Sequence, residues 1–130
     1  MIQQLEVHQQ SQVLDLIETI IYEGGNNNFV ILGLSSDYYI QIAAAKGAYE
    51  VYCEAVSNYY LEEENWLQGK QIEWLEKLNW NLKEDENYSL SHSVDSENSR
   101  ELLAKLIVDT AIQVYEVDGI DFNNISLNLE

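Results

Sequence analysis

A chain of 130 residues that sets 23 Asp and Glu against 6 Lys and Arg, for a formal net charge of -17, must leave most of its carboxylates in water. Such a surface repels nucleic-acid phosphates and anionic lipid headgroups, so neither nucleic acid nor membrane is expected as a partner. With 46% hydrophobic residues the chain suits one domain, residues 1–130, that buries roughly two thirds of its extended surface, with 1–10 and 118–130 expected at the periphery.

The N-terminal stretch MIQQLEVHQQ has neither a basic nor a sustained apolar region, and no segment approaches the roughly 18 apolar residues of a membrane span. The single cysteine, Cys53, can close no internal disulfide, and its place in an alternating run predicts a buried free thiol. A cytoplasmic setting is expected.

The first helix is predicted from Ser11 to Glu23, where Leu14, Ile17 and Ile21 recur at helical spacing and Ser11 stands as N-cap. Gly24 and Gly25 stop it, and Asn26 to Asn28 make a polar turn. The period then changes. FVILGL and YYIQIAA, separated by Ser35 to Asp37, are rich in aromatic and β-branched residues and predict two strands. Lys46 and Gly47 turn the chain into a third, AYEVYCEAVSN, with Tyr49, Val51, Cys53 and Ala55 on one face and Glu50, Tyr52 and Glu54 on the other. Short turns between three strands predict an antiparallel meander with helices on one face.

A polar and aromatic connection containing Glu62, Glu63 and Glu64 leads to a second helix over Lys70 to Asn79, with Ile72, Leu75 and Leu78 facing inward. NLKEDEN is a charged turn, and YSLSHSV alternates as a strand. Asn98 with Glu101 has the form of a capping box before a strongly apolar helix over Ser99 to Val117. That helix carries adjoining apolar tracks, which makes Leu103, Ile107 and Val114 candidates for a homodimer surface. In the tail, ISLNL alternates in the manner of a short edge strand.

Motifs for chemistry are missing. His8, His92 and Cys53 have no zinc spacing, and Ser91, His92, Ser93 and Asp95 are strand neighbours that alternate faces rather than converge as a triad. Glu62 to Glu64 and Glu84, Asp85 and Glu86 are consecutive loop carboxylates that titrate in water. Asp118 and Asp121 lack the calcium-loop pattern, and no glycine-rich phosphate fingerprint occurs. No catalytic residue, cofactor or metal is assigned.

Nine tyrosines and three tryptophans are the remaining anomaly. Tyr39, Tyr49, Tyr52, Tyr59, Tyr60 and Trp66 are candidate contacts for a protein partner, since such side chains bury much area at little entropic cost. Glu50, Glu54, Glu62, Glu63 and Glu64 supply an acidic rim that favours a basic or extended segment.

The same residues carry a family resemblance. YYIQIAA leading into YEVYCEAVSNYYL, then WLEKLNW, a strand and a long final helix, resembles the YbjN and TY-Chap group, similar in fold to type III secretion chaperones. Its most distinctive piece is EAVSNYYL, Glu54 to Leu61; WLEKLNW, Trp74 to Trp80, is similar to the family's leucine, leucine, glycine, tryptophan ending, with Asn79 in the place of glycine. The resemblance implies an α+β domain in the order α-β-β-β-α-β-β-α, a twisted antiparallel sheet with helices packed on it. It further implies frequent homodimers and noncatalytic binding of unfolded or extended segments. The residues alone show one strand between the second and third helices, and NWNLKE is where the family's additional strand is expected.

The function expected is that of a chaperone-like or adaptor protein that holds a protein segment through an aromatic sheet face or apolar groove. Two alternatives differ in class: an acidic mimic of nucleic-acid charge that occupies a basic regulator, and an enzyme built on a carboxylate pair such as Glu54 and Glu62.

Overall fold

The computed structural model describes residues 2–35, 37–118 and 120–130, with side chains from Val7 onward. Met1, Ser36 in the turn expected between the first two strands, and Gly119 in the acidic tail lie outside the described residues. The elements follow the implied order and add a strand at the end: α1 Ile2–Tyr22, β1 Asn28–Gly33, β2 Tyr39–Ala44, β3 Glu50–Ala55, α2 Gly69–Lys77, β4 Asn81–Leu82, β5 Tyr88–Ser93, α3 Glu97–Gln113 and β6 Ile125–Asn128. Two single-turn 3-10 segments, Asn58–Tyr60 and Glu63–Asn65, fill the connection before α2.

The six strands form one antiparallel sheet in the order β4-β5-β3-β2-β1-β6. Helices α1 and α3 pack against each other and on one face of it, α1 over β1 and β2, α3 over β5. Alternation in the strands sends Val30, Leu32, Ile40, Ile42, Val51 and Cys53 toward those helices, where Val13, Ile17, Leu103 and Ile107 meet them. None of these side chains is more than 2% exposed, so the core is one continuous layer between sheet and helices.

Several boundaries differ from the sequence reading for local reasons. Helix α1 begins at Ile2 rather than Ser11, because the Gln-rich start has good helix formers even though apolar periodicity begins only at Val13. Its end is fastened by Asn28, a buried amide that donates to the Ile20 and Glu23 carbonyls, both at 2.7 Å, and accepts from the Gly25 N–H. Helix α3 begins at Glu97, capped by Ser96 and Ser99, whose hydroxyls each accept from the other's backbone N–H. Asn98 and Glu101 do not form the cap, because a serine pair of the same spacing closes the first turn two residues earlier.

Helix α2 ends in a Schellman motif, with Trp80 N–H donating to the Leu75 carbonyl and Asn79 N–H to that of Glu76. Asn79 takes the left-handed backbone this requires, at φ 69°. The departure from glycine at this position is therefore conformationally mild, since asparagine tolerates that region better than most residues. Strand β4, within NWNLKE, is the additional strand the family order implied, and it pairs with β5.

Arg100, the chain's one arginine, joins three elements. Its guanidinium donates to the Val94 carbonyl beyond β5 and lies 5.9 Å from the centre of the Tyr22 ring of α1. Its Nε stands 3.9 Å from Glu18 Oε2, an ion-pair approach too long for a hydrogen bond. Among the described residues no helix is long and apolar enough to cross a membrane.

Candidate interaction surface

Directly opposed residues in an antiparallel sheet share a face. The register therefore gives the surface away from the helices row by row. One row runs Asn128, Phe29, Ala43, Tyr52, Ser91; the next runs Ser126, Ile31, Gln41, Glu54, Ser89. Beyond them Gly33 faces Tyr39, and Glu50 faces Ser93. No described helix packs on these rows, so Phe29, Ile31 and Tyr52 form an apolar strip whose only cover is their neighbours. Tyr52, the most exposed aromatic of the strip at 46%, stands between Glu50 and Glu54 on the same strand face. A shallow depression at one end of the strip is lined by Asn27, Phe29, Ala43 and Ala45.

The sequence candidates thus divide. Tyr39, Tyr52, Glu50 and Glu54 share the open face. Tyr39 is half-buried and its hydroxyl accepts from Asn87 Nδ2 at 2.9 Å, while Asn87 Oδ1 accepts from the Ser57 N–H. Tyr49, 80% exposed, stands one residue before β3 in the strand phase of Val51 and so belongs to the helix side.

The other candidates sit in the two 3-10 turns. Tyr59 and Tyr60 meet edge to face at 4.9 Å between ring centres, and the Tyr60 hydroxyl donates to the Asp85 carbonyl. The indole of Trp66 donates to the Leu61 carbonyl at 2.9 Å. This second aromatic patch, with exposed Glu62, Glu63 and Glu64, is fastened to the helix side of β2, where the Tyr38 hydroxyl donates to the Asn65 carbonyl. Tyr38 in turn packs on Tyr115.

The proposed dimer residues require correction. Leu103, Ile107 and Val114 are all 0% exposed inside the monomer core, so a second copy cannot reach them. The helix is apolar on two tracks because it lies between α1 and the sheet, and both tracks are used internally.

Phe29 and Ile31 are open-face residues that the sequence reading did not single out. FVILGL is an unbroken apolar run and gives no alternation from which to tell faces apart. The available signal was the mismatch itself: an apolar run next to strands that alternate means an uncovered apolar pair.

Chemistry is sparsely provided. Among the described residues no three His, Cys, Asp or Glu side chains converge to hold a metal ion. His92 Nδ1 lies 2.8 Å from the Ser93 carbonyl oxygen, while the Ser93 hydroxyl donates to Asp95, so these groups do not form a relay. Glu54 rises from β3 on the open face, whereas Glu62 is exposed on the connection before α2.

The family model for T3SS (YopN, CesT) and YbjN peptide-binding chaperone 3, TY-Chap3, matches residues 16–122, from the middle of α1 to just short of β6. No curated protein and no solved structure matches the chain.

Proposed function

Because the chain belongs to the TY-Chap3 family of T3SS and YbjN peptide-binding chaperones, we propose that it is a noncatalytic chaperone or adaptor whose open sheet face holds an extended segment of another protein. The observation that carries this reading is the inequality of the two sheet faces. One lies under α1 and α3, and the other leaves Phe29, Ile31 and Tyr52 without a helix over them.

An extended segment lying on that strip buries apolar side chains against the central strands. Glu50 and Glu54 then favour Lys or Arg beside those side chains, which improves encounter and register more than final affinity. The patch of Tyr59, Tyr60 and Trp66 extends the contact to a longer segment that passes the end of the sheet.

An array of twelve-residue peptides, varied in apolar content and in Lys and Arg content, tests the reading. Peptides combining both features are expected to bind and to keep most of their affinity at high salt, where apolar contacts are not screened. Tyr52→Ala should weaken them at least tenfold, as truncation of a central aromatic anchor does. Wild-type affinity in Tyr52→Ala refutes the open-face site. Binding confined to Arg-rich peptides and lost at high salt indicates instead the mimic of nucleic-acid charge.

A further inference from the structure

Strand β6 is held to its neighbour almost entirely through backbone. Gly33 N–H donates to the Asn124 carbonyl at 2.9 Å and Asn27 N–H to that of Glu130 at 2.8 Å, bracketing the register from Leu32 opposite Ile125 to Phe29 opposite Asn128. Side chains add little: Leu127 is 45% exposed and Leu129 37%, leaving Ile125 as the strand's one apolar residue packed on the core.

The seat is cut for a passing backbone. A Cβ on Gly25 would stand 2.5 Å from the Glu130 carbonyl carbon, and one on Gly33 would meet the Asn124 side-chain amide and stand 2.9 Å from the Asn124 carbonyl oxygen, backbone approaches that no side-chain-bearing residue tolerates. Glycine at both ends lets the backbone of a strand pass this closely. The strand also lies beyond the span shared with the family.

We infer that residues 124–130 are a built-in, displaceable occupant of the β1 edge, and that their release opens this edge to an extended segment of another protein. The incoming segment would run antiparallel to β1 with apolar residues at alternate positions, as Ile125 and Leu127 do now. An edge held by backbone hydrogen bonds with half-exposed side chains belongs to the parts of a fold that open at low free energy. A competitor that makes the same ladder and buries more at the two inward positions replaces it. The edge adjoins the open face, whose rows end on Asn128 and Ser126, but Tyr52 lies two strands away from β1, so this inference does not rest on the reading of the face.

The test uses the full chain and, as probe, a fluorescent peptide with the sequence of residues 123–130. Ile31 and Ser126 are register partners in the same hydrogen-bonded phase as Gly33 and Asn124, where the roughly 5.5 Å Cα spacing suits a disulfide. An Ile31→Cys, Ser126→Cys variant is expected to bind the probe when reduced and to lose at least tenfold in affinity when oxidised, with Cys53 buried and uninvolved. Ser126→Pro, which removes a ladder donor from the internal strand alone, should bind the probe at least tenfold more tightly than wild type.

Equal binding by the oxidised and reduced forms overturns the inference, and so does Ser126→Pro binding no tighter than wild type. The redox comparison is made on one folded protein and decides the matter even where the proline variant is unstable. Tyr52→Ala should leave probe binding unchanged, so the face and the edge fail or succeed separately.

Discussion

Ile107→Ala will lower the free energy of unfolding by about 2–5 kcal/mol, and the loss relative to wild type will be the same at every protein concentration. Ile107 has no exposed surface and sits in the layer between sheet and helices, so truncation removes its packing and leaves a void that rigid neighbours fill only in part. Were the residue part of a subunit interface, the difference between variant and wild type would change on dilution, because dissociation is linked to unfolding by mass action. Urea denaturation followed by tryptophan fluorescence over a hundredfold range of concentration separates the two. A loss that changes with concentration, or one below about 1 kcal/mol, contradicts the placement of Ile107 in the core of a single chain.

Alkaline solution will destabilise the fold in two stages. Burial pushes the Cys53 thiol up from its ordinary 9.0 to about 12. Below pH 9 both the folded and unfolded chains keep this proton. Between 9 and 12 the unfolded chain releases it and the folded chain does not, so stability falls by up to about 1.4 kcal/mol per pH unit. Tyr115 adds a second loss above pH 10. Burial, and then the neighbouring Tyr88, Tyr39 and Tyr38, raise its phenol well above the ordinary 10.0, and its hydroxyl donates to the Val56 carbonyl at 2.6 Å.

The sign is the same for both groups: a neutral acid held neutral by the fold favours unfolding once water would ionise it. Cys53→Ala should move the onset from about pH 9 to about pH 10 while leaving the second stage in place. Wild-type stability that stays flat to pH 10 would mean that Cys53 is not enclosed as described.

Much of this architecture was legible because the sequence changes period where the fold changes element. β3 alternates so strongly that Val51, Cys53 and Ala55 had to oppose Glu50, Tyr52 and Glu54, and the structure keeps that division. The turn at Gly24 and Gly25 was equally plain, since the left-handed Gly24, at φ 75°, ends α1 as expected. Less legible was anything settled by what lies across from a residue. Leu103 and Ile107 are apolar whether they meet α1 or another subunit, and helical spacing cannot tell those cases apart. Phe29 and Ile31 could be assigned to a face only after register with Ala43 and Gln41 was known. Strand β4 is two residues long, too short for any periodicity to announce, and the family resemblance supplied it. The aromatic candidates were recognised one by one, but their separation into a sheet strip and a turn patch depends on the Tyr38 to Asn65 bond, a tertiary contact across 27 residues.

Arg100 has a practical consequence. As the one arginine of the chain, it gives an arginine-directed protease a single bond to cut, Arg100 to Glu101, four residues into α3. That bond lies in helical backbone, beside a side chain engaged with Tyr22 and with the Val94 carbonyl. Cleavage requires the helix to leave its neighbours, so the digestion rate in rising urea reports the opening of the helical layer, with two fragments of predictable mass as its signal.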